Sequence, residues 1–355
     1  MKILHTADIH LKEYGDDRWK TLQTLIEIGK KEKVEIFVIS GDLFDKGINA
    51  EILRPKIRKI FSNNGFKIFL IPGNHDSESY KSGLYFGEDT VILTDLEKPF
   101  EHNDLMIWGF PFESIDTENI FQKLHLLANN LDQNKKNILL YHGELVDAFF
   151  SRKDFGEEGE ERYMPVKLSY FKTLNLDYVL AGHLHSQFDV WKLENGGYFV
   201  YPGSPISITK KEKGKRKVNI FEVGEPPKEY ILDTPYFEEV VIEFNPFMEK
   251  NPIDIVKERL EGFPLHAMII LTIKGYINSE KIKISEIELV EQLKEIIKDR
   301  CAKGEFKLEF KDIHTILEDD LFKNFIDKLQ QKNYNEKKKN QLIDVAIRAM
   351  TKAKL

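Results

Sequence analysis

From Lys2 to about Glu222 short apolar runs alternate with stretches of helical spacing, the pattern of a layered α/β fold. The spacing predicts strands over 3–7, 35–40, 67–71, 91–94, 105–109, 137–141 and 178–181. Between the first two, Asp16 or Asp17 can cap a helix whose Leu22, Leu25 and Ile26 share one face. A second helix carrying Leu53, Ile57, Ile60 and Phe61 stops near Gly65, so the order begins β-α-β-α-β. After Gly182 the helical spacing disappears, and runs at 188–192, 197–201, 218–222 and 230–232 are expected to form an antiparallel second sheet completing a sandwich.

The Gly224-Glu225-Pro226-Pro227 segment through Pro235 reads as a crossing between domains. Residues 1–235 would then be one domain, 236–312 a small α+β domain and 313–355 a helical tail. In the middle part, strands over 237–244 and 266–275 surround a helix with Asn251 as cap, Pro252 in its first turn and Gly262 beyond its end. Ser285 and Glu288 have capping-box spacing before a helix carrying Leu289, Leu293, Ile296 and Ile297. In the tail, Leu317, Leu321, Phe325 and Leu329 make one amphipathic stretch and Leu342, Ala346 and Met350 another. Their apolar faces need either the middle domain or a partner protein as cover.

A length of 355 residues suits two domains with a small third element. Lys and Arg number 52 against 59 Asp and Glu, a net charge of −7 that offers a polyanion no bulk attraction. Cys301 is the single cysteine, which excludes an intramolecular disulfide and any cysteine-rich zinc site. No apolar run approaches the length of a membrane span, and the start of the chain lacks the apolar core of a signal peptide. A cytoplasmic protein without membrane attachment is expected.

The expected strands of the first domain end in polar blocks of one kind: Asp8-Ile9-His10, Gly41-Asp42-Leu43-Phe44-Asp45, Gly73-Asn74-His75-Asp76, His142-Gly143-Glu144 and Gly182-His183-Leu184-His185. Carboxyl ends of strands in an α/β sheet share one rim, so these blocks can converge. Carboxylate, imidazole and amide ligands without thiolate suit two hard or borderline divalent ions, Mn²⁺ foremost, with Fe, Zn or Mg as alternatives. Asp8 and His10 are two apart, as are His183 and His185, and such a pair on extended backbone points to one side. Gly41, Gly73 and Gly182 fit turns where backbone passes close to a metal centre.

In this order the five blocks resemble the calcineurin-like metallophosphoesterase superfamily, with its Asp-x-His, Gly-Asp-x-x-Asp, Gly-Asn-His-Asp/Glu, His and Gly-His-x-His signature. The resemblance reaches to about Pro205 and implies a four-layer β-sandwich flanked by helices. It further implies that Asp8, His10 and His185 hold one metal, that Asn74, His142 and His183 hold the other, and that Asp42 bridges them. His75 would be the non-ligand catalytic histidine, oriented by Asp45. Within the superfamily, His5-Thr6-Ala7-Asp8-Ile9-His10-Leu11, Ile39-Ser40-Gly41-Asp42 and Tyr201-Pro202-Gly203-Ser204-Pro205 are similar to the Mre-eleven/SbcD group of DNA double-strand-break repair nucleases. That likeness implies an Mn-dependent 3'-5' exonuclease and/or single-strand endonuclease. It also implies a small α+β domain capping DNA, a homodimer, and a C-terminal element that binds a coiled-coil ABC-type ATPase.

Candidate substrate contacts are Tyr80 and Lys81, after the Gly-Asn-His-Asp turn, and the basic run Lys210, Lys211, Lys213, Lys215, Arg216 and Lys217. The run also reads as a solvated hairpin tip, and the acidic stretch 154–161 as a surface loop. Two other classes of function compete. A phosphodiesterase or phosphatase for cyclic nucleotides or other small phosphoesters would use the same metals, but needs neither cap nor tail. A DNA-end-binding regulatory subunit of an ATPase complex would not need an intact ligand set with His75.

Overall fold

The structure is a computed structural model and describes residues 1–80, 85–148, 162–298 and 300–354. The chain divides into two units, Met1–Phe237 and Glu238–Leu355. In the first, β1 (Lys2–Thr6), α1 (Asp17–Lys31), β2 (Ile36–Ser40), α2 (Ala50–Ile60) and β3 (Lys67–Ile71) follow in the expected order. Then come β4 (Thr90–Ile92), β5 (Phe100–His102), β6 (Leu105–Phe110), α3 (Thr117–Asn130), β7 (Lys136–His142) and β8 (Tyr178–Gly182). β9 (Asp189–Lys192), β10 (Tyr198–Tyr201), β11 (Lys217–Glu222) and β12 (Glu229–Ile231) complete the set. Asp16 rather than Asp17 caps α1, accepting from Trp19 N at 2.8 Å.

Two six-stranded sheets result, ordered β12-β11-β1-β2-β3-β4 and β5-β6-β7-β8-β10-β9. Their central strands are buried on both faces, which explains apolar runs without alternation. Leu4, Phe37, Ile39, Ile68 and Leu70 join a core with Trp19, Leu22, Leu25, Leu53 and Ile57 of α1 and α2. Their neighbours Ile3, Ile36, Val38, Phe69 and Ile71 pack with Ile138, Leu140, Tyr178 and Leu180 between the sheets. Leu139, Tyr141 and Val179 face a third core with Ile120, Leu124 and Leu127 of α3, a helix not expected from the sequence. The layers are helix, sheet, sheet, helix.

The strands after Gly182 do not form a sheet of their own. β10 adds parallel to β8 and β9 antiparallel to β10, whereas β11 returns antiparallel to β1 and carries β12 with it. Local pattern marks a strand but not its partner, and here partnership is decided by residues far apart in the chain, Lys2 pairing with Glu222 and His5 with Asn219.

β13 (Tyr236–Phe244) begins at the end of the first unit and continues into the second, which also contains α4 (Pro252–Glu261), β14 (Ala267–Ile277), α5 (Ser279–Ile282), α6 (Glu286–Ile297) and β15 (Cys301–Asp312). Asn251 caps α4 through Ile253 N, and Ser285 caps α6 through Glu288 N. β15, absent from the sequence reading, pairs parallel to β14, its Phe306, Leu308 and Phe310 alternating with Lys307, Glu309 and Lys311. α7 (His314–Leu317), α8 (Asp320–Gln330) and α9 (Glu336–Lys354) follow. They bury Ile316, Phe322 and Ile347 together and against Tyr276 of β14, so the tail covers part of its apolar surface within its own unit. Among the described residues no helix is long and apolar enough to cross a membrane.

Candidate metal centre

Five parallel strands deliver the site. Asp8 follows β1, Asp42 follows β2, Asn74 follows β3, His142 ends β7 and His183 follows β8, so both sheets contribute. The loops are tied to each other by main-chain bonds: Asp8 N to Gly41 O at 3.1 Å, His10 N to Asp42 O at 3.0 Å and Leu11 N to Leu43 O at 2.8 Å. Asp8, His10, Asp42 and His183 all have positive φ, at 57°, 52°, 52° and 99°. The side chains therefore converge through left-handed turns beyond the strand ends, and not through the extended i, i+2 geometry expected for the two pairs. Such backbone is costly for non-glycine residues and is held by the surrounding bonds. Gly41 takes φ +92° beside the His142 ring, while a Cβ on Gly73 would overlap the Asp42 carboxylate and one on Gly182 the Ser40 carbonyl.

Asp8, His10 and His185 bring one ligand atom each into a common space, as do Asp8, Asp42 and His142, and His10, Asp45 and His75. His142 Nδ1 lies 2.8 Å from Ser40 O, so that nitrogen carries a proton and Nε2 of the neutral ring presents a lone pair. Nε2 faces Asn74 Oδ1 at 2.8 Å and Asp42 Oδ2 at 3.4 Å, both acceptors. Asn74 Oδ1 is also 3.2 Å from His183 Nδ1, and His10 Nε2 is 3.3 Å from His185 Nε2. Asp42 Oδ2, buried and without a hydrogen-bond donor, stands 3.7 Å from His10 Nε2, between the two groups. Buried carboxylate and amide oxygens gathered among imidazoles in this way are stable only around positive charge, from protons or from metal ions. The residues fit divalent ions.

The electrostatics agree. Burial opposes ionisation of Asp42, but the imidazoles of His142 and His10 outweigh it and hold the carboxyl below its ordinary range. Burial also opposes charging of His142, yet Asp42 beside it pushes the ring up to about 10. For His185, burial is outweighed by Glu212 and Asp8, and the ring is pushed up to about 9. Without ions, protons fill the demand for positive charge.

Asp45 Oδ1 lies 3.7 Å from His75 Nδ1 and 3.8 Å from His10 Nδ1, so it faces both rings. Its Oδ2 takes Arg18 at 2.8 Å and Lys12 at 2.9 Å, which overcome burial and hold the carboxyl down at about 2. His75 lies at the boundary of two open cavities. One, of about 730 Å³, is lined by His10, Asp45, His185, Lys210 and Lys211; the other, of about 510 Å³, by Asn74, Lys46, Phe112, Arg162 and Tyr163.

All nine expected metal and catalytic residues thus meet. The expected substrate contacts divide. Tyr80 is buried against Phe44 and Phe86, its hydroxyl donating to Asp76 Oδ2 at 3.3 Å, because the short helical turn Ser77–Tyr80 turns it inward. Lys81 and the acidic stretch 154–161 lie outside the described residues. Of the basic run, Lys210 and Lys211 reach the cavity, while Lys213 and Lys215 are exposed outside its lining. Lys217 pairs with Glu229 on the neighbouring strand. Arg216 is buried and donates to Ser204 O at 3.0 Å, Ser186 O at 3.3 Å and His185 O, bracing the turn that carries His185. Sequence reasoning passed over Glu212 in the same run, although a single acid among lysines is itself a signal. It also assigned no role to Asp76 or Arg18.

Facing sheets with a cluster of this kind at their strand ends define a metal-dependent phosphoesterase. Residues 1–187 match the family described as calcineurin-like phosphoesterase, and the chain belongs to that family. Its sequence is similar to the D subunit of the nuclease SbcCD of Staphylococcus epidermidis, 24% identical over 302 residues, covering 74% of this chain and 75% of that protein. Among solved structures it is similar to a Thermus thermophilus protein, with a TM-score of 0.41 and 15% identity over 61% of this chain and 92% of that one. A dimetal phosphatase from Danio rerio is also similar, with a TM-score of 0.40 and 11% identity over 62% of this chain and 91% of that one.

Proposed function

We propose that the chain is a two-metal DNA nuclease, cutting phosphodiester bonds as a 3'-5' exonuclease and/or single-strand endonuclease in double-strand-break repair. Asp8, His10 and His185 would hold one ion, Asn74, His142 and His183 the other, and Asp42 would be shared. The observation that carries the metal assignment is the convergence of carboxylate, imidazole and amide atoms around Asp42 Oδ2. Their oxygen and nitrogen donors suit Mn²⁺. When bound, such ions polarise a phosphoryl group and lower the pKa of water for in-line attack.

The chain's own residues supply the rest. Asp45, kept ionised by Lys12 and Arg18, faces His75 Nδ1 and favours the doubly protonated ring, which can donate from Nε2 to a departing oxygen. Lys210 and Lys211 add positive charge where a phosphate backbone would run. DNA as substrate is supported by the likeness to the staphylococcal nuclease, whose name also makes it part of a complex. By the same likeness, residues 236–312 would cap DNA and 313–355 would dock on a coiled-coil ABC-type ATPase, in a cytoplasmic homodimer. Leu321 of α8 and Val345 of α9, 69% and 62% exposed, are apolar surface that such docking would cover.

The test is hydrolysis with Mn²⁺ of duplex DNA, single-stranded DNA, cyclic AMP and a phenyl-phosphate diester. Hydrolysis of the small diesters alone refutes the nuclease, and two bound metals without any hydrolysis favours a regulatory role. His75→Ala is expected to keep both metals and lose about 10²–10⁴ in turnover. Loss of metal in that variant would make His75 a ligand instead.

A further inference from the structure

The loop between β10 and β11 is basic by count, yet its one acid from Lys210 to Lys217, Glu212, is fully buried. Glu212 Oε1 lies 3.5 Å from His185 Nδ1. That nitrogen is on the side of the ring away from Nε2, which faces His10 Nε2 at 3.3 Å and Asp8 Oδ1 at 3.6 Å. The carboxylate is fixed by four donors: Ile208 N at 2.8 Å, Ser204 Oγ at 3.1 Å, Thr209 N at 3.2 Å and Thr209 Oγ1 at 3.1 Å. Arg216, buried next to it, holds the carbonyls of His185 and Ser204.

The four donors brace the loop through both carboxylate oxygens, yet Oε1 also faces the His185 ring 3.5 Å away, a contact that bracing alone does not require. A carboxylate behind an imidazole does something more: it sets which ring nitrogen carries the proton and fixes the ring's direction. We propose that Glu212 is the positioning residue of His185, holding its proton on Nδ1 so that a bare Nε2 is turned toward the metal centre. This rests on His185 being a metal ligand.

The test is a Mn²⁺ titration of the metal-free, full-length protein by calorimetry. Wild type binds two ions, and Glu212→Gln binds one of them about 10–100-fold more weakly. Ser207→Ala removes a different bond of the same loop, from Ser207 Oγ to Glu212 O at 2.6 Å, and is expected to bind both ions as wild type does. Unchanged affinity in Glu212→Gln, or equal weakening in Ser207→Ala, overturns the proposal. A second measurement needs no variant. Ring ¹⁵N shifts of metal-free wild type at a pH high enough to neutralise His185 are expected to show Nδ1–H and an unprotonated Nε2. A proton on Nε2 overturns the proposal even if Glu212→Gln fails to fold. Wild type that binds no ion overturns the metal assignment and the proposal with it, an outcome distinct from failure of Glu212→Gln alone.

Discussion

Asp76 closes the Gly-Asn-His-Asp block and clamps the two loops that carry Asp42 and Asn74. Its Oδ1 accepts from Gly73 N at 2.8 Å, and its Oδ2 from Phe44 N at 3.1 Å and the Tyr80 hydroxyl at 3.3 Å. In Asp76→Ala two buried N–H groups lose their acceptors, at about 1–3 kcal/mol each, a total of about 2–6 kcal/mol. Against a typical stability of about 5–15 kcal/mol this is a severe loss. Asp76→Asn keeps an acceptor for one N–H but sets an amide donor against the other, so about half that cost is expected. Tyr80→Phe gives up one hydroxyl bond, about 1 kcal/mol. Urea unfolding of the metal-free protein ranks the three, and Tyr80→Phe in the Asp76→Ala background should cost almost nothing. Asp76→Ala costing less than about 1 kcal/mol, or effects that simply add, would refute the clamp.

The clamp also has a pH signature. Burial and the charge of Asp42 push the Asp76 carboxyl up to about 7 from an ordinary 3.8. A folded pKa above the unfolded one means stability that is fully present below the ordinary value and lost as pH rises through about 7. Metal-free Asp76→Asn should lack that loss. As Tyr80 is buried, Tyr80→Phe should leave KM for DNA unchanged.

Other expectations follow from the same geometry. Gly73→Ala and Gly182→Ala push a Cβ into the Asp42 carboxylate and the Ser40 carbonyl, and metal analysis should find both variants depleted. With His142 pushed up to about 10 and His185 to about 9, ions must displace protons, so Mn²⁺ affinity should rise with pH above neutrality. Calorimetry in buffers of different ionisation enthalpy reads that release, and a pH-independent affinity would contradict it. Lys210→Glu with Lys211→Glu should weaken DNA binding and lower its salt slope by about 1 for each phosphate no longer neutralised, measured by filter binding. Lys217→Ala, which removes only the pair with Glu229, should not.

The candidate metal centre was legible in the sequence because its residues sit where apolar runs stop, and a change from apolar to polar marks a strand's end without any knowledge of its neighbours. Doubly buried strands made those runs unbroken, so β1, β2, β3, β7 and β8 stood out. What surrounds the ligands was decided elsewhere. The left-handed turns at Asp8, His10, Asp42 and His183 are held by bonds between loops far apart in the chain. The same is true of β11, whose place beside β1 is a long-range pairing that local pattern cannot encode. A residue's direction is likewise tertiary. Tyr80 follows a polar turn and points inward to Asp76; Arg216 and Glu212 belong to a basic run and point inward to the His185 turn, while Lys210 and Lys211 line the cavity. The sequence alone determined the chemistry available at the strand ends and the overall charge of −7. Only the folded chain decided which charges face the cleft and which are buried behind it, because a side chain's direction depends on partners that lie near it in space and far from it in sequence.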